Sequence, residues 1–397
     1  MYFLTGLTAI VVGSVMPQLL SFYEVSYTVG GQLIFVGAMG FLVGVLITSW
    51  LNNRFPPKPL LAIAASIIAF AQFGILALPP LPVVMILYFI NSIGSSSIGI
   101  VVATLFLEVF TGRQAVAMSY LEVSFGLGAF SMPLLASTFI ALDIWRFLFL
   151  ITAVLAVFLA VLSTRISISQ NGTDSSARPL DASGAGKQIP LTPGRKMLTL
   201  VLFGLAIFLY GGLEGSLNNF MSSIFMNYLH LVAYYASVSV GIFWASMVIG
   251  RALTGVIIRK VTYKKYLLTN ICGAILSLIL FILLKNVLLG YFFVATLGLM
   301  LSGIYSITLV FANFSIPNSA HLVTPVISGL CGLGMALLPA FTGFSLDHAG
   351  MAATLWYIVA IACFYLTFLI LINRIRGERS FTFFPRVSRK KLRARSF

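Results

Sequence analysis

About twelve stretches of this chain are apolar over the roughly 20 residues that an α-helix needs to cross a bilayer. They lie near residues 1–22, 30–52, 59–79, 82–108, 115–140, 145–164, 197–226, 232–257, 266–284, 288–312, 322–345 and 350–373. The fourth and fifth are the hardest to separate, since only Gly112 and Arg113 break the run between them. Of 397 residues, 60% are hydrophobic and 8% charged, about a third of the charged share of a soluble domain. The mean hydropathy is +1.06. The expected fold is an all-α polytopic membrane protein with twelve transmembrane helices.

One long polar stretch, Ser167 to Gly194, divides the spans six and six. Rich in Ser, Gly, Asp and Pro, it has nothing to bury and reads as a flexible linker. The expected organisation is a six-helix bundle over 1–164, a linker over 165–196, a second six-helix bundle over 197–374 and a basic tail over 375–397.

With both termini cytoplasmic, 22 of the 24 lysines and arginines fall on the inner side, leaving Arg146 and Lys285 outside. Shifting the topology by one span inverts that bias, so an even number of spans is favoured. The same placement explains the formal charge of +15 without nucleic acid: the basic residues line the cytoplasmic face of a plasma-membrane protein. The tail RVSRKKLRARSF suits contact with anionic lipid, or serves only as a topogenic signal. Asn171-Gly172-Thr173 matches a glycosylation sequon, but this topology places it in the cytoplasm. No basic n-region precedes the apolar run that begins at Met1, so a cleavable signal is not expected.

The chain also repeats. An offset of 206 carries Gly126, Gly128 and Pro133 onto Gly332, Gly334 and Pro339, Gly44 onto Gly250, Arg54 onto Lys260 and Lys58 onto Lys264. Parallel six-plus-six repeats are the layout of a transporter with a central site between two halves.

Few polar groups sit inside the spans. In MSYLEVSFGLGAFSMPLL, residues 118–135, Glu122, Gly126, Ala129 and Pro133 share one helix face of little bulk, which a helix or a solute can approach closely. A carboxylate at mid-bilayer costs roughly 2.5–3.5 kcal/mol on insertion scales and usually faces a bundle interior or wet cavity; a Glu near a helix end reaching the headgroups is the plain alternative. In LYGGLEGSLNNFM, Tyr210, Glu214 and Asn218 form a stripe, with Asn219 a quarter-turn away. Phenol, carboxylate and amide on one face suit a polyol, although a polar clasp between helices would also satisfy them. Trp244 offers a ring for stacking on a sugar, or simply for packing. Asn91 and Ser95–Ser97 read as packing residues, and Ser302, Tyr305 and Ser306 as candidate cavity lining. Glu108 and Arg113 are placed to pair. Arg54 and Arg251, at inner ends of spans, are candidate gating residues.

Several chemistries are excluded. Cys272, Cys331 and Cys363 have no paired or metal-type spacing, and His230, His321 and His348 are scattered. No phosphate-cradling loop with its Lys-Ser/Thr exists to support ATP drive, and no His/Asp/Glu cluster supports a membrane enzyme. No cofactor, metal or enzymatic activity is expected, and a monomer is.

The two halves, with GVLITSWLNNRFPPK and GRALTGVIIRKVTYKK after spans two and eight, resemble the major facilitator superfamily. YLEVSFGLGAFSMPLL, YGGLEGSLNNFMSSI and SVGIFWASMVIGR resemble its group of glucose/mannose proton symporters and fucose permeases. The resemblance implies that Glu122 stands where fucose permease has a sugar-contacting amide, and that Glu214 and Asn218 match the acid and amide of span seven in the glucose symporter. It also has departures. Asn52-Asn53-Arg54 lacks the usual loop Asp, and IVVGSVMPQLL and SIGSSSIGIVVATLF lack the acids that fucose permease uses for coupling. Proton coupling would therefore fall to Glu122 or Glu214.

The expected function is alternating-access transport of a small polar solute, most simply a hexose or related sugar, in symport with a proton. The competing reading is a drug/proton antiporter, whose span-five motif typically has Pro directly after Gly; here Gly128 and Pro133 are five apart. A nutrient sensor on the same fold is the non-transport alternative.

Overall fold

The computed structural model of the protein describes residues 1–52, 54–109, 114–165, 193–258, 260–316 and 320–376. The expected pairing of Glu108 with Arg113, the sequon at Asn171 and nearly all of the tail and linker lie outside these residues. The described residues form helices α1 (Tyr2–Ser14), α2 (Met16–Phe22), α3 (Tyr27–Asn52), α4 (Pro57–Leu76), α5 (Leu81–Val109), α6 (Gln114–Ala141) and α7 (Phe147–Arg165). The second half holds α8 (Pro193–Tyr228), α9 (Ala233–Ile257), α10 (Tyr263–Leu284), α11 (Val287–Leu301), α12 (Ile304–Ser315), α13 (Ala320–His348) and α14 (Gly350–Arg376). Eleven spans are long and apolar enough to cross a membrane, with α11 and α12 sharing one, and the bent pair α1 and α2 makes the twelfth.

Two spans are not the single helices that their hydropathy suggests. Span one bends by 53° between α1 and α2, where Pro17 supplies no N–H and its ring crowds the carbonyl four residues back. Span ten breaks at Ser302 and Gly303. A side chain at Gly303 would collide with the Tyr266 hydroxyl and come within 2.6 Å of Thr254 Oγ1. The seventh span starts at Pro193, four residues before the expected 197, because proline at a first helical position loses nothing.

In the first half α3 packs on α5, α4 on α5 and α7, and α1 on α6; in the second, α8 packs on α13 and α14, and α9 on α11. Two seams, α3 on α13 and α6 on α9, join the halves, and α1 and α2 both touch α8. Large apolar side chains such as Leu46, Phe70 and Leu288 point outward, as lipid-facing residues do.

The sequence repeat has a structural meaning. Gly128 lets α6 press against the Phe3 carbonyl of α1, and Gly334 lets α13 press against the Phe208 carbonyl of α8. Gly44 abuts Ser96 and Gly250 abuts Ser302, two pairs related by the same offset of 206. The turns at the end opposite the basic loops repeat as well. Each carries one left-handed residue: Glu24, Leu78, Asp143, His230, Lys285 and Gly350.

These contacts differ in what they tolerate. Gly334→Ala places a Cβ against a backbone carbonyl and should lower the thermal midpoint of the detergent-solubilised protein by several degrees. Gly99 has nothing within 4 Å of a Cβ, so Gly99→Ala should hold or raise that midpoint, by up to about 1 kcal/mol of helix propensity. Equal midpoints for the two variants would contradict the packing described.

Candidate functional site

The site is built on α6, α8 and α9, with α12 beside them. Along α6, the low-bulk face is occupied by a helix rather than left open. Gly126 meets Val248 of α9, a Cβ at Gly241 would lie 3.5 Å from the Pro133 ring, and Ser237 Oγ donates to the Pro133 carbonyl at 3.2 Å. Ala129 is buried against α1. At one end of this seam Arg251 Nη1 meets Glu122 Oε2 at 3.0 Å, a charged pair between the two halves. The Glu122 side chain stays 53% exposed and that of Arg251 28%, so the pair is wetted rather than sealed.

The α8 stripe is buried: Tyr210, Glu214, Asn218 and Asn219 are all under 10% exposed. Its members separate by partner. The Tyr210 hydroxyl donates to the Leu301 carbonyl at 3.0 Å, reaching the break between α11 and α12. Asn218 Oδ1 accepts from Trp244 Nε1 at 2.7 Å. Asn219 Nδ2 donates to Gly215 O at 2.8 Å in its own helix, and its Oδ1 faces Gly13 of α1. Glu214 lies four residues from each of Tyr210 and Asn218 on the same face of α8 and is buried.

Trp244 is the hinge of the set. It is 4% exposed, meets Phe125 of α6 edge-on at 5.7 Å, and has the Arg251 guanidinium 5.7 Å from its ring centroid. Glu122, Arg251, Trp244 and Asn218 thus form one chain of contacts across the seam, and Glu214 and Tyr210, on the Asn218 face of α8, complete the set. With both carboxyls ionised, it carries two negative charges and one positive.

The other expected residues sit elsewhere. Arg54 lies over the Trp50 ring at 4.0 Å, at the end of its own helix. Ser95 bonds Thr8 at 3.3 Å, Ser97 bonds Thr48 at 2.6 Å, and Asn91 accepts from Gln72 at 3.0 Å, as packing residues should. Ser302 bonds back to Leu299 O at 2.7 Å and Ser306 is exposed. Tyr305 bonds Ser328 at 3.0 Å; Ser328 is the repeat mate of Glu122. Sequence reasoning passed over Phe125, which covers Trp244, and Asp347, described below. A lone acid at the end of an apolar span was the available signal for the second. Among the described residues, no group of three or more His, Cys, Asp or Glu could hold a metal.

The profile of the Major Facilitator Superfamily matches residues 1–339. The chain belongs to the Major Facilitator Superfamily. Across it, the glucose/mannose transporter GlcP of Bacillus subtilis (strain 168) is 28% identical over 385 residues, 95% of this chain and 94% of that protein. Solved facilitator structures share the fold at low identity. A bacterial homologue of the human lysosomal transporter Spinster, inward-facing and occupied, aligns with TM-score 0.77 at 14% identity over 96% of this chain and 97% of its own. The D-xylose-proton symporter aligns with TM-score 0.71 at 14% identity, over 95% and 96%.

The Glu122–Arg251 pair is measurable. In a double-mutant cycle of Glu122→Gln and Arg251→Gln, thermal unfolding should return a coupling of about 0.2–1 kcal/mol, the range for wetted pairs. Additive effects would remove the pair from the resting protein.

Proposed function

We propose that this facilitator imports a hexose or related sugar together with a proton, across the plasma membrane, as a monomer with both termini in the cytoplasm. The observation that carries the reading is the Glu122–Arg251 ion pair across the seam, at 3.0 Å, with a second carboxyl, Glu214, buried on α8. One proton brings that set from a net negative charge to neutrality. Burial away from water disfavours uncompensated charge, so the protonated set is the one suited to crossing in an occluded state.

The sugar-binding role falls to the groups beside it. Asn218 and Asn219 present amides, Tyr210 a phenol and Trp244 a ring, on two neighbouring helices of the second half beside the seam; hydroxyl-rich ligands are held by such amides and ring faces. The sequence likeness to a glucose/mannose transporter over nearly the whole chain supports the substrate class. The surplus of lysine and arginine at one end supports the orientation, with Arg54 and Arg251 at the inner side. The bundles 1–164 and 197–374, joined by 165–196, would rock about the seams.

Energetically this suffices. A proton moving inward gains about 2.3 kcal/mol per 100 mV, enough for roughly fifty-fold accumulation. In proteoliposomes, glucose or mannose added outside should alkalinise the outer medium. Glu122→Gln and Glu214→Gln should each cut that proton flux at least ten-fold, and at least one of them should keep sugar exchange. If both variants couple sugar to protons as the parent does, the assignment of the proton carriers is wrong.

A further inference from the structure

The end of the molecule opposite the basic loops is shut by a contact outside the site just described. Helix α3 opens at Tyr27, and its first backbone N–H groups need partners that an isolated helix does not supply. They find them in the other half. Asp347, near the end of α13, accepts from Tyr27 N at 3.0 Å with Oδ1, and from Thr28 N at 2.6 Å and Thr28 Oγ1 at 2.5 Å with Oδ2. It is a helix N-cap supplied in trans, 319 residues away from Thr28. The negative carboxylate also complements the positive end of the helix dipole.

The neighbouring contacts make this end a seal. Gly343 of α13 lies against the Tyr27 carbonyl, and a Cβ at Gly31 would come 2.8 Å from the Ala340 carbonyl, so the two backbones touch. Asn227 Nδ2 of α8 donates to the Tyr27 hydroxyl at 2.6 Å. Span one, beside α8, contributes the opposite sign of stability. Ser14 Oγ and Gln18 Oε1 flank its bend, buried with no hydrogen-bond partner, and a Cβ at Gly13 would come 2.8 Å from Asn218 O. Buried polar atoms left unpaired disfavour the arrangement that buries them, and these two would be satisfied by water once the halves part. The closed end thus holds a strong latch set against polar groups that gain from opening.

We infer that Asp347 is the latch of the outer gate. It is a positioning residue that holds α3 and α13 together while the outer side is closed, and its release admits water, and with it substrate, to Ser14 and Gln18. Which side counts as outer rests on the proposed orientation; the latch itself does not depend on the substrate being a sugar.

The experiment places a cysteine at Ser14 in a background where Cys272, Cys331 and Cys363 are serine, and follows its modification by a membrane-impermeant maleimide in right-side-out and inside-out vesicles. Asp347→Asn keeps the shape but has one acceptor oxygen where the carboxylate has two, so it cannot serve Tyr27 and Thr28 together, and it loses the charge. It should raise the labelling rate from the outside at least ten-fold, and Asp347→Glu should return it toward the parent rate. Thr28→Val, which removes one of the three bonds, should raise it by a smaller factor and serves if Asp347→Asn does not fold. In uptake assays with glucose, Asp347→Asn should lower the external KM and lower kcat, since the outward-open state gains population and the return step weakens. Unchanged labelling in folded Asp347→Asn and Thr28→Val protein, or increased labelling only from the cytoplasmic side, overturns the latch. Raised outside labelling with no sugar uptake at all would keep the latch and overturn the proposed substrate.

Discussion

Inside a bilayer a polar atom cannot turn to water, and this constraint shapes every informative contact in the protein. Most hydroxyls solve it locally. Ser49, Ser66, Thr104, Ser131 and Thr296 each donate to the carbonyl four residues back. The groups that do not are concentrated where helices of different parts meet. Gln72, Asn91 and Thr152 tie α4, α5 and α7 into one unit through bonds of 3.0 Å. Glu122 with Arg251, and Asp347 with Thr28, instead tie one half to the other. Polar pairs within a half fix its shape; polar pairs between halves can be exchanged for water or ligand, and those are the ones a transport cycle can use.

The two seams are built alike because the halves are. Gly126 brings α6 onto α9, and its repeat mate Gly332 faces Leu42 of α3 from α13 at 3.4 Å. What differs is the charge placed on each seam. On the α6–α9 seam the ion pair sits toward the basic end and remains wet; on the α3–α13 seam the carboxylate sits at the far end and caps a helix. The repeat explains the scaffold, and the charges depart from it: Ser328 stands where symmetry would put a second Glu122.

Much of this was legible from the residues. Twelve spans follow from length and composition, because helices apolar on all sides have no soluble alternative. Glu122, Glu214, Trp244 and Arg251 stood out because a charge or an indole among apolar residues is conspicuous. Their partners were not legible. A helical stripe gives the direction in which Tyr210, Glu214 and Asn218 point, and says nothing of what they meet. Tyr210 donates to the Leu301 carbonyl where span ten breaks, and Gly303 in that break leaves room for the paired hydroxyls of Tyr266 and Thr254. Asp347 escaped notice because an acid at a span end ordinarily faces solvent.

The positions of the two interhalf carboxylates suggest how occupancy and gating are joined. Arg251 pairs with Glu122 across the seam, so protonating that acid changes what the guanidinium holds. Trp244 lies under that guanidinium, bonded to Asn218, and Asn218 O lies against Gly13, one residue from unpaired Ser14. A ligand that draws Asn218 or Trp244 toward itself therefore acts on the same stretch of span one that the closed outer end leaves unsatisfied. Such a route needs no long relay, because the ion pair, the ring and span one just before its bend are in successive contact.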